Sequence, residues 1–177
     1  MYKFVDNKYW SNARISDESK FDDKGNWYSG TWCNGDFNNG TWNGGTWEKG
    51  TFNGIWVNGD WHGGTHYDGI WHDGVWHNGD FFHGLWRTGN WKRGYWYNGT
   101  WKTGSWLGGT WGTGIWCDGI WGDGSWQEGT WLNGRWIQGQ MRDFTIGRIV
   151  YNDSKVSPKA HYKPTKTLSL NYANYKD

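Results

Sequence analysis

Over residues 27–140 an aromatic residue returns every five positions with a glycine behind it, and this W-x-x-G-x spacing restricts the chain more than any other feature. Trp32-Cys33-Asn34-Gly35-Asp36 and Trp76-His77-Asn78-Gly79-Asp80 are two of 23 consecutive copies. Nineteen open with Trp, three with Phe (Phe37, Phe52, Phe81) and one with His66. Every copy carries its glycine, and only Phe52-Asn53-Gly54-Ile55 is one residue short, so that Trp56 arrives early.

Five residues on an α-helix turn the chain through about 500°, so the aromatics would spiral off any one face. On an unbroken strand an odd spacing throws alternate side chains to opposite faces, and a glycine in every fifth position opposes both elements. The chain must therefore turn once per copy. Asn-Gly at Asn34, Asn39, Asn53, Asn58, Asn78, Asn98 and Asn133, and Asp-Gly at Asp68, Asp73, Asp118 and Asp123, supply the residues that turns at positive φ require. What is left between turns is a short extended piece such as Thr-Trp-x, opened by Thr, Ile or Val, which suits β structure.

Two all-β folds satisfy this pattern. In a β-solenoid each turn is a corner, coils stack about 4.8 Å apart, and Gly and Trp both point inward, the glycine making room for the indole. In a curled β-meander each Asn-Gly is a hairpin turn that sets Trp32 opposite Phe37, with all the Trp on one face that needs a cover. A solenoid or curled meander is favoured over an open ribbon because it hides more indole surface. Ile55, Val75, Tyr95 and Ile115, spaced by 20, favour four copies per coil, whereas the non-Trp openers are copies 3, 6, 9 and 12 and favour three. Ring size argues that a 15-residue coil is too small for three inward indoles.

Composition leaves no other core. Trp accounts for 20 of 177 residues, while Leu and Ile are scarce. Each indole buries on the order of 150–250 Å², so the regular ones alone can hold a narrow fold, and their periodicity argues against disorder. A net charge of +1 argues against nucleic acid as a partner. The N-terminus lacks the apolar run of a signal peptide, and no window reaches the length of a membrane span. Cys33 and Cys117, both directly after a Trp, read as separate surface thiols made in a reducing cytoplasm.

Four segments follow. Residues 1–26, with Tyr2, Phe4, Tyr9 and Trp10, read as an N-terminal cap over a raw sheet edge, or as a loose leader. Residues 27–140 are the repeat domain. Residues 141–151 read as a closing strand. Residues 152–177, basic, tyrosine-bearing and holding Pro158 and Pro164, read as an extended arm that orders on a partner, or as an unstructured tail. Gly44-Gly45, Gly63-Gly64 and Gly108-Gly109 mark unusual turns or tolerated drift.

Chemistry is sparse. His62, His66, His72, His77 and His83 fall close together but without standard zinc-ligand spacing, and His66 reads as a core substitute for Trp. Turn geometry accounts for Asp68, Asp73, Asp118 and Asp123. No nucleophile, base and acid are arranged together, so no catalytic, cofactor-binding or metal residue is assigned and the expectation is a non-enzymatic protein.

The copies from Trp32-x-x-Gly35-x-Phe37 onward, and runs such as Gly40-Thr41-Trp42-Asn43-Gly44-Gly45-Thr46-Trp47, resemble Trp/Gly-rich pentapeptide-repeat structural proteins of large tailed bacteriophages. A looser likeness to MORN repeats rests on W-x-x-G but departs in period. The pentapeptide-repeat family shares the period but has Ala and Leu where this chain has Gly and Trp. The phage resemblance implies a virion component of the tail, baseplate or fibre attachment, made in the host cytoplasm. It would be a rigid spacer or docking element whose partners are other virion proteins or further copies of itself. The alternatives are a carbohydrate-binding or adhesive module using exposed Trp, and an intracellular MORN-like scaffold.

Overall fold

The computed structural model describes residues 1–143 and 148–152, with side chains to residue 140, and every regular element among them is a β-strand. The repeats wind into a parallel β-solenoid of about eight coils. Trp71 pairs with Trp86, Trp86 with Trp101, and Trp101 with Trp116, so one coil is 15 residues and has three sides. The hairpin alternative fails, because Trp32 and Phe37 share one strand and pair with Trp47 and Phe52 in the next coil.

The four-copy coil expected from the 20-residue spacing is also corrected. Ile55 and Ile115 precede aromatics of one column, Val75 precedes one of the second, and Tyr95 one of the third. The spacing by three was the informative one: Phe37, Phe52, His66 and Phe81 lie on successive levels of the third column, followed by Trp96.

Three indoles fit because they do not lie flat beside one another. Within a coil, neighbouring rings meet edge to face, as Trp86 and Trp91 do at 5.9 Å and 74°. Between coils each ring stacks on its counterpart at near-parallel angles, as Trp86 and Trp101 do at 4.7 Å and 6°. Both are favoured aromatic geometries, worth about 0.5–1.5 kcal/mol per pair beyond area burial. Trp10 and all nineteen repeat Trp are buried, the most exposed being Trp136 at 3%.

The backbone ladder is equally regular. The residue before each aromatic donates its N–H to a glycine carbonyl one coil below, as Tyr95 does to Gly79 at 2.9 Å. The residue after it donates to the carbonyl of the aromatic one coil below, as Tyr97 does to Phe81 at 2.8 Å. At the corners the glycines stand directly over one another. Gly99 has φ +126°, and a Cβ there would overlap the Gly84 carbonyl oxygen and come within 3.2 Å of the Trp96 ring. The missing side chain therefore makes room for backbone first and for the indole second. The carbonyls of Gly44, Gly63 and Gly108 accept the indole N–H of Trp27, Trp47 and Trp91, each at 3.1 Å, and those of Thr113 and Glu128 at the same corner position accept from Trp96 and Trp111 at 3.1 and 3.0 Å, so the bond does not require the second glycine. At Asn or Asp corners the side-chain oxygen instead accepts from the following glycine, as at Asp73 and Asn98, both 2.7 Å.

The short copy changes the coil without breaking it. Across it Trp42 pairs with Trp56 and Trp47 with Trp61, a coil of 14 residues, and the corner is absorbed into one continuous strand, Thr51–Trp56. On the next level Tyr67 is the extra residue, bulged between the pairs His66–Phe52 and Asp68–Asn53. The missing residue is thus absorbed at this corner, and the columns stay in phase above it.

At the N-terminal end, β1 (Tyr2–Val5) pairs antiparallel with β2 (Trp10–Ser16), and β2 runs antiparallel to the first coil. Trp10 stacks under Phe37 and Ile15 pairs with Trp32. Phe21 of β3 (Lys20–Phe21) stacks under Trp27 at 6.2 Å and 7°. Each column therefore rests on one apolar residue of the leader. To round the first corner β2 bulges: Asn12 adopts φ +54°, and buried Ala13 sits against Gly35. At the other end, Gly139–Asp143 continues the parallel ladder above Ser125 and Trp126 and pairs antiparallel with Arg148–Asn152. One strand was expected over 141–151; residues 141–143 and 148–151 lie in two, and residues 144–147 are outside the described residues. The arm assigned to 152–177 lies, from residue 153 on, outside the described residues.

Two substitutions separate the core from the corners. Trp96→Ala should cost about 3–5 kcal/mol by opening a cavity in the third column. Gly99→Ala should be comparably severe although it adds one methyl, because φ and the Gly84 carbonyl both oppose it. Chemical denaturation of both variants checks this, and parental stability of Gly99→Ala would contradict the corner geometry.

Candidate functional site

Because the aromatic points inward, the residues before and after it point outward, and each side of the prism displays two columns of side chains. Residues 15 apart become vertical neighbours, so chemistry dispersed in the sequence collects in stripes.

The histidines divide accordingly. His66 is fully buried between Phe52 and Phe81, at ring distances of 5.4 and 4.4 Å, as a core substitute for Trp. Neither ring nitrogen has a hydrogen-bond partner. Burial pushes its pKa down to about 3, against a smaller opposing effect of Asp68. His62 and His77 stack on the second side at 4.5 Å, with Asp60 3.7 Å from His77 Nε2. The pKa of His77 is lowered by burial, then by Lys92 and His62. His83 lies on the third corner, 3.6 Å from Asp68, and His72 follows Trp71 on the first side. Among the described residues no three His, Cys, Asp or Glu side chains gather as a metal group would. Cys33 and Cys117 are both free and half-buried, on different sides.

Two stripes escaped the reading of the sequence. On the third side Tyr67, Phe82 and Tyr97 stack in the open, 5.3 and 4.3 Å apart, and Tyr95 leans against Tyr97 at 4.3 Å. Gly112, one level up, leaves space into which the Tyr95 ring reaches, and its hydroxyl donates to Gln127 Oε1 at 3.1 Å. On the first side Ile55, Ile70 and Leu85 pair in register, and Ile115 continues the line beyond Thr100. The signal for both was a 15-residue recurrence in the variable positions. Every Trp of the chain is buried, so none offers an open ring face to a ligand in this structure.

No helix is long and apolar enough to cross a membrane among the described residues. No family model, no curated protein and no solved structure matches the chain.

The buried imidazole sets a pH dependence. Its folded pKa lies below that of an unfolded His, near 6.5. The unfolded chain therefore binds the extra proton first, and stability falls as pH drops from about 6.5 toward 3, by at most ~1.4 kcal/mol per pH unit. His66→Phe should raise stability at neutral pH and flatten this slope. Melting temperatures of both proteins between pH 4 and 7 check it; parallel curves would show that His66 does not remain neutral in the core.

Proposed function

We propose that this chain is a non-enzymatic structural protein of a phage virion, acting in the tail, baseplate or fibre attachment as a rigid spacer or docking element. The observation that carries the reading is the core itself. Three continuous aromatic columns hold the coils in register, and at a rung spacing of about 4.8 Å eight coils set a length near 38 Å. Such an object serves by its length and by the orientation of its sides. The resemblance of the repeats to phage structural proteins supports placing it in a virion, made in the host cytoplasm, where two free thiols are at home. Its partners in this reading are other virion proteins, with residues 152–177 as a binding segment. The looser likeness to MORN repeats rests on W-x-x-G alone and departs in period, so it supports the scaffold alternative less well.

The repeat offers a clean test. Deleting residues 91–105 removes one whole coil, shortens the rod by about 4.8 Å and leaves the sides aligned. Deleting residues 91–95 removes one side, keeps an aromatic ring at every core position, and turns everything above by a third of a revolution. Both proteins should fold. In purified particles of the source phage the parent should appear at fixed stoichiometry, and the 91–95 deletion should be excluded or strongly depleted. Absence of the parent from particles, or equal incorporation of the rotated variant, would overturn the reading.

A further inference from the structure

We propose that the first side of the prism is a self-association surface, on which a second copy packs antiparallel about a two-fold axis lying between the rungs of Ile70 and Leu85. The dimer goes beyond the spacer reading and does not depend on the rod standing in a virion.

The first observation is the aliphatic stripe. Ile55, Ile70 and Leu85 occupy three consecutive rungs of the outward column, with Ile115 two rungs higher. Ile55 and Ile115 are 40% and 42% exposed, and Ile70 and Leu85 are half-buried. A parallel sheet with three aliphatic side chains in line on its outer face is a surface that soluble chains ordinarily cover.

The second is charge. Along the axis the fixed charges form bands. Asp60, Asp68, Asp73 and Asp80 fall in two adjoining coils without Lys or Arg; Arg87, Lys92, Arg93 and Lys102 follow without a carboxylate. On the first side this places Arg87 and Lys102 beside the stripe, and Asp73 at the corner one rung below Arg87. Among the described residues neither Arg87, Lys102 nor Asp73 has an ion-pair partner within 4.0 Å.

These features select the second copy and its direction. A two-fold axis in the interface and perpendicular to the rods lays each column on its own counterpart while reversing the order of rungs, an isologous contact. Centred between Ile70 and Leu85, it sets Leu85 of one copy on Ile70 of the other and the outer Ile55 over Thr100. It also brings Arg87 beside Asp73 of the other copy, twice by symmetry. A parallel arrangement at the same height would instead set the basic band against the basic band. The centre lies near the middle of the ladder, so the rods overlap along most of their length. A side about 16 Å wide and 38 Å long gives roughly 1,200 Å² buried over both copies, the lower bound of stable interfaces.

The test is the mass of the full chain by light scattering coupled to size exclusion, with circular dichroism and melting curves confirming that each variant folds. The parent should be a dimer at micromolar concentration. Leu85→Lys should be monomeric with unchanged melting of the coil. Arg87→Asp and Asp73→Arg should each weaken the dimer at least tenfold, and the double variant R87D/D73R should recover most of that loss. A monomeric parent overturns the proposal, as does a dimer indifferent to Leu85→Lys. A dimer that the charge swap fails to restore overturns the antiparallel register. Particle incorporation is read separately, so failure here leaves the spacer reading standing, and the reverse.

Discussion

Everything in this fold depends on the corner, where a glycine at positive φ carries the carbonyl of the glycine one coil below where its side chain would be. That contact lets the coils close to hydrogen-bonding distance all the way round, corners included. The cost of holding a glycine is modest, about 0.5–1 kcal/mol in backbone entropy. Against it stands one indole per glycine, each removing 150–250 Å² from water, or roughly 4–6 kcal/mol at 25 cal/mol/Å². Burial more than offsets the cost of the glycine, and a chain with almost no Leu or Ile in its interior can still form a dense core.

The number of sides follows from how indoles pack. Laid flat and side by side, three would overfill a 15-residue coil, which is why ring size pointed to a larger one. Edge-to-face contacts within a coil and near-parallel stacking between coils remove that objection, because each level is a pinwheel that repeats on the level above. The third column shows the tolerance of the arrangement. Phe37, Phe52, His66 and Phe81 replace four indoles in succession, in the same region that accommodates the 14-residue coil and the Tyr67 bulge. His66 is the weakest member, being polar, unpartnered and enclosed by aromatics.

Much of this was legible in the sequence. The five-residue period, the glycine corners, the inward Trp, the buried His66 and the skipped residue at Phe52 each follow from residue chemistry at fixed spacing. The choice between three and four sides was not, because two recurrences competed. Ile55, Val75, Tyr95 and Ile115 share a spacing of 20 yet sit on different sides, whereas Phe37 and its successors share a column. Nothing local distinguishes them, since the coil is defined by pairing between distant residues. The surface stripes were hidden for the same reason: Tyr67, Phe82 and Tyr97 become neighbours only once the coil length is known.

That length is the central claim, and engineered disulfides measure it directly. In a background with Cys33 and Cys117 replaced by Ser, Thr103→Cys with Asp118→Cys places two thiols one coil apart at the same corner. Parallel rungs about 4.8 Å apart lie within the 4.4–6.8 Å Cα separation that a disulfide accepts. Thr103→Cys with Asp123→Cys, spaced by 20, places them at different corners. The three-sided coil predicts rapid oxidation to an intramolecular disulfide in the first pair and none in the second. Cross-linking of the 20-residue pair in preference to the 15-residue pair would contradict it.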